Sequence, residues 1–195
     1  MHRYYEEKLP EGYKEALALD ANDRESSVKI RKIAVISAIV LFNACFFLYA
    51  LPRIHEIAAG FSIIKCVGFI LAYFVYIILH ELTHGIVYKL LTGQKLTFGF
   101  KPPAAYCGVP NIYIYRSTSL CSLFAPFTVY SVVFAVLFLM IGDPFSKVLI
   151  LVLFSMHITG CAGDLYGVGL FLSRFKDPAT LRKDTGPVQI YYTKD

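Results

Sequence analysis

Apolar side chains along this chain gather into four long runs separated by polar segments. The first, IAVISAIVLFNACFFLYAL from Ile33 to Leu51, carries no charge, and Pro52 follows it. The second opens near Phe61, passes Leu79 without a breaker into HELTHGIVYKLL and stops at Gly93. Residues 120–141 and 148–172 supply two more, separated by Gly142, Asp143 and Pro144. About 20 mostly apolar residues cross a bilayer as a helix, and a closing Pro or Gly is a usual helix stop. The pattern therefore predicts four membrane helices. Pro126, inside the third, is expected to kink it or to free a carbonyl.

The segments between the runs read differently. KLTFGF and IYIYR alternate apolar and polar positions on either side of KPPAAYCGVPN, which predicts a small β-hairpin with a wide loop. Residues 1–32 are polar, with a short helical pattern over Tyr13 to Leu19 after Pro10. The tail is polar too, with one short strand expected at Val188 to Tyr192. The expected fold is an all-α membrane protein of about four transmembrane helices, with one small cytoplasmic β-hairpin between helices two and three. Its organisation would be an N-terminal segment over 1–32, a membrane domain over 33–172 and a cytoplasmic tail over 173–195.

Composition supports the membrane and narrows the partners. Of 195 residues 56% are apolar and 17% charged, whereas a soluble domain is nearer half apolar and a quarter charged. The five cysteines have no CxxC spacing and lie mostly in apolar segments, so neither a disulfide framework nor a zinc knuckle is expected. The net charge of +5 is scattered, with no groove-reading motif, and no nucleic-acid partner is expected. The charge instead reports topology. Seven Lys and Arg precede the first run, four lie between Lys89 and Arg116 and five follow the fourth run, against Arg53 and Lys147 alone in the opposite loops. The positive-inside rule then puts both termini and the hairpin in the cytoplasm. The first run is long enough to span and follows a polar segment, so it is expected to stay as an anchor in a multi-pass plasma-membrane protein.

Chemistry is concentrated at one place. His80, Glu81, Leu82, Thr83 and His84 form an HExxH on a continuous helix. Histidines four apart share a helix face and can hold one zinc ion, with Glu81 placed to take a proton from water at the metal. Three ionisable residues at the end of a membrane helix are costly unless they pair, bind a metal or line a wet cavity. A further ligand is needed, and Asp164, His157, Cys161, Cys107, His55, Glu56 and Asp143 are the candidates. Topology places His55, Glu56 and Asp143 on the far side of the bilayer. Asp164, about 24 Å along helix four, matches the depth of His80, about 28 Å along helix two. Gly160, Gly163, Gly167 and Gly169 would let the helices approach. His157, Cys161 and Asn43 are candidates to support the ligands from a second layer, with Cys161 ranked behind Asp164 as a ligand.

HELTHG at the end of a second membrane helix, the later AAYC, LFAPF around Pro126, and HITGCAGDLYGVGLF around Asp164 together resemble the family of small bacterial membrane proteins called putative zincin peptidases, over roughly residues 60–195. That family is similar in turn to the site-2 proteases, intramembrane zinc metalloproteases in which an HExxH and a distant Asp bind the metal. The surroundings of Asp164 lack the LDG-type ending of the site-2 pattern. The resemblance implies zinc on His80, His84 and Asp164, Glu81 as the base, and a bacterial origin.

The activity expected is hydrolysis of peptide bonds in membrane-associated proteins or peptides. Zinc makes water a nucleophile near neutral pH and polarises a carbonyl, while Glu81 would accept the water proton and return it to the leaving amine. Two other classes fit the same residues: a small metal or proton transporter, which the lack of repeats and broken-helix pairs disfavours, and an inactive metal-bound scaffold. Glu81 separates them, because binding alone needs no base. Thr97, Phe98 and Ile114 of the hairpin are expected to present substrate by offering strand edges to an extended peptide.

Overall fold

The computed structural model describes residues 4–20, 23–101 and 104–194. In chain order the elements are β1 (Tyr5–Glu6), β2 (Tyr13–Asp20), α1 (Arg24–Cys45), a π-turn (Phe46–Ala50), a 3-10 turn (Leu51–Arg53), α2 (Ile54–Ala59) and α3 (Ile63–Thr92). There follow β3 (Thr97–Lys101), β4 (Ala104–Tyr115), α4 (Arg116–Met140), α5 (Pro144–Gly160), α6 (Ala162–Ser173), β5 (Leu181–Asp184) and β6 (Val188–Lys194). Contacts divide the chain into two compact units. One comprises Met1–Ile30, Ile78–Pro126 and Gly163–Asp195, and the other Arg31–Ile77 and Phe127–Ala162.

The first unit corrects the all-α expectation. It carries a six-stranded antiparallel sheet of order β1-β4-β5-β6-β2, with β3 paired to β4. The expected hairpin is one corner of that sheet, and its turn prolines, Pro102 and Pro103, lie outside the described residues. The stretch from Tyr13 to Leu19, expected as helix, is strand β2, paired with β6 from Tyr13↔Lys194 to Asp20↔Val188. Its partner is more than 160 residues away, so only tertiary contact could reveal it. A register shift between Glu15 and Leu17 breaks the alternation that would have marked a strand. Beyond it, Leu17 and Leu19 turn inward in period two. Leu19 packs with Leu123, Val168, Phe171, Phe175 and Tyr191, so the sheet shares an apolar core with α4 and α6. Pro110 falls where β4 and β5 change register, a place where a missing N–H is tolerated.

The second unit is helical. Tyr76, Phe134 and Leu153 form its buried centre. Ile36, Leu48, Ile64 and Leu139 point outward and are mostly exposed, as side chains facing acyl chains would be. Among the described residues three helical stretches, Ser27–Ala59, Ile63–Thr92 and Arg116–Met140, are long and apolar enough to cross a membrane, and α5 with α6 would make a fourth if that bent pair is one span. The fourth run was expected to be continuous, but the helix breaks at Cys161, between Gly160 and Gly163. Asp164 thus stands in the first turn of a new helix rather than deep in a long one. Local chemistry explains the other ends. Asp143 caps α5, accepting from Ser146 N at 2.8 Å, with Pro144 at the first helical position. Gly93, at φ +68°, closes α3 in the left-handed conformation usual after a helix.

Candidate metal centre

The face of α3 that carries the HExxH turns into the first unit. His80 and His84, one turn apart, are buried, with ring centroids 5.1 Å apart. Asp164 comes from α6, and its Oδ2 lies 3.3 Å from His80 Nε2 and 3.4 Å from His84 Nε2. All three ligand atoms fall within 4.8 Å of one another.

The donor set fits zinc. A tetrahedral ion with bonds of about 2.0–2.1 Å spaces its ligand atoms about 3.3–3.4 Å apart, the separation between Asp164 and each histidine. Two imidazoles and one carboxylate leave a fourth position open, as hydrolytic zinc sites do. The ring of His84 is also held from behind. Its Nδ1 lies 3.0 Å from the Ser122 carbonyl oxygen, and because a carbonyl only accepts, Nδ1 carries a proton, which leaves Nε2 as the nitrogen that would face a metal. The Ser122 hydroxyl lies 3.4 Å from the same nitrogen. Glu81, half-buried, sits between the two histidines in sequence.

One turn further along α3, Tyr88 stands on the same face and enters a buried network that the sequence reading missed. Its hydroxyl donates to Asp184 Oδ2 at 2.5 Å. Arg182 Nη2 donates to Tyr88 Oη at 2.5 Å and to Asp184 Oδ2 at 3.0 Å, while Gly186 N–H takes Asp184 Oδ1 at 2.9 Å. Arg182 is wholly buried. The only sequence signal was Tyr88 at i+4 from His84, since Arg182 and Asp184 sit in a tail that looked like solvated surface. Gly85, directly after the HExxH, lets the hairpin come close. A Cβ there would stand 2.8 Å from Phe98 Cζ, 3.1 Å from Leu96 Cδ1 and 3.3 Å from Cys107 Sγ. Burial pushes the Cys107 thiol up to about 12.

The other expected residues have partners of their own. His157 is buried in the second unit, with the Tyr76 hydroxyl 2.8 Å from Nδ1, and the Ser131 hydroxyl and the Phe127 carbonyl each 3.3 Å from Nε2. Cys161 Sγ is 3.6 Å from His157 Nδ1, and Asn43 donates to the Ile39 carbonyl of its own helix at 2.7 Å. Asp143, also in the second unit with His55 and Glu56, is paired with Lys65 at 2.7 Å. In the hairpin Thr97 and Phe98 are exposed on β3, which pairs with β4 alone among the described residues. Ile114 is fully buried and paired with Tyr5 on one side and Arg182 on the other. Its backbone is thus committed within the sheet, and the edge left over is that of β3.

Residues 73–178, just over half of the chain, match the family described as putative zincin peptidase. That span holds the HExxH, Ser122 and Asp164. No curated protein and no solved structure matches the chain.

Proposed function

This chain belongs to the putative zincin peptidase family, and from that premise we propose that it is a membrane-embedded zinc metallopeptidase of the site-2-protease type, cleaving membrane-associated proteins or peptides. The observation that carries the reading is the convergence of His80 Nε2, His84 Nε2 and Asp164 Oδ2 at separations of 3.3 and 3.4 Å. These three side chains would hold the zinc. When bound, zinc supplies Lewis acidity, lowering the pKa of water and polarising the scissile carbonyl.

The chain's own residues do the rest. Glu81 accepts the proton of the attacking water and returns it to the leaving amine. Ser122 holds the His84 ring through its backbone carbonyl. The β3 edge, with Thr97 and Phe98 exposed, offers main-chain groups to an extended segment whatever its side chains. A helical substrate must unwind for attack, since its carbonyls are bonded along the axis, and pairing to a strand edge would keep it unwound. The distribution of Lys and Arg and the apolar helices support a multi-pass protein of the bacterial plasma membrane with both termini in the cytoplasm.

The test is Glu81→Gln in purified protein with a model membrane peptide. The amide keeps the shape but cannot take the proton, so metal content should stay and cleavage should fall by about 10²–10⁴-fold. Equal cleavage by variant and wild type would overturn the hydrolase reading.

A further inference from the structure

Pro126 stands in the interior of α4, and its ring nitrogen carries no hydrogen. In an α-helix the N–H of residue i bonds the carbonyl of residue i−4, so the carbonyl that loses its ladder donor is that of Ser122. That carbonyl is the group 3.0 Å from His84 Nδ1, at a fully buried residue. Two requirements meet there. A carbonyl released within a membrane helix must find a donor on a neighbouring element. A ligating histidine must give its remote N–H to a fixed acceptor if its Nε2 is to keep one direction.

We infer that Pro126 is a positioning residue for the metal centre: by withholding a helix donor it reserves the Ser122 carbonyl for His84, and so fixes the ring whose Nε2 faces Asp164. The inference rests on His80, His84 and Asp164 being metal ligands. An ordinary helix kink would have the opposite consequence. Alanine is much the better helix former, so Pro126→Ala restores the ladder bond and leaves thermal stability unchanged or higher. If the proline merely shapes the helix, metal binding follows stability. If it reserves the carbonyl, metal binding weakens while stability holds or rises.

The experiment is cobalt(II) titration of the full-length, metal-free protein in detergent. Affinity comes from competition with a chelator, and the visible absorption of bound cobalt reports ligand geometry. Pro126→Ala is expected to bind cobalt about 10–100-fold more weakly, with an altered band and a Tm no lower than the wild type. Wild-type affinity and band in Pro126→Ala would overturn the inference while leaving the peptidase reading in place. If the wild type takes up no cobalt, the metal-centre reading fails first. If Pro126→Ala does not fold, Pro126→Ser, which restores the same backbone N–H, takes its place under the same criteria.

Discussion

The hydroxyl of Tyr88 and the carboxylate of Asp184 meet at 2.5 Å, one helical turn beyond His84, and Arg182 donates to both. The helix that carries the HExxH is thereby bonded to β5. Breaking a buried ion pair from one side leaves a charge stranded in low dielectric, at a cost of about 3–5 kcal/mol, whereas replacing both partners by apolar residues costs far less. Asp184→Ala should therefore destabilise the protein by roughly that amount, and Arg182→Met with Asp184→Leu by less. Denaturation in detergent, compared across the single and double variants, checks this; additive losses would show that the pair is not coupled.

Loss of a ligand should empty the metal centre. His80→Ala and Asp164→Ala each remove one of three converging ligand atoms, and bound zinc should fall from about one ion per chain to a small fraction. Elemental analysis beside the wild type measures it. Retention of metal by Asp164→Ala would exclude Asp164 from the centre.

Gly85 sets how closely the hairpin approaches the HExxH helix. The atom nearest an added Cβ is the far end of the exposed Phe98 ring at 2.8 Å, which can swing aside, so Gly85→Ala should fold. Gly85→Val should displace β3, lowering kcat/KM for a membrane peptide about tenfold with zinc content unchanged. Thr97→Pro tests the same strand through its backbone. Normal cleavage by both variants would remove β3 from substrate handling.

Asp143 carries a pH dependence of known sign. Hydrogen bonds from Lys65 and Ser146 hold its carboxyl down at about 2, below the ordinary 3.8. A depressed folded-state pKa contributes stability that is present above the unfolded value and lost as pH falls through the folded one. The Tm difference between wild type and Asp143→Asn should therefore be constant above about pH 4 and shrink between pH 4 and 2. Melting curves in detergent across that range provide the check.

Topology predicts opposite sides for two positions. Reporter fusions at Gly142 and at the C-terminus should give opposite signals, given sixteen Lys and Arg on one side against two on the other. A cytoplasmic signal at Gly142 would overturn the orientation.

Local pattern was enough to mark the apolar helices, the HExxH and the hairpin strands, because each depends on residues within a few positions of one another. A long run without charge makes a helix apolar enough to cross a membrane, histidines four apart share a face, and alternation over five residues makes a strand. It also put Asp164 among the candidate ligands, and it expected Pro126 to kink α4 or to free a carbonyl. The identity of that carbonyl's partner, His84 on another helix, could come only from the folded chain. The same holds for the sheet. β2 pairs with a strand over 160 residues away, and its alternation is broken at Glu15 and Leu17, so no window along the chain contains the evidence. Arg182 and Asp184 looked like solvated tail residues because their composition is that of a surface. Tertiary structure buried them, since a charge pair with a tyrosine hydroxyl between satisfies inside the protein what water would satisfy outside.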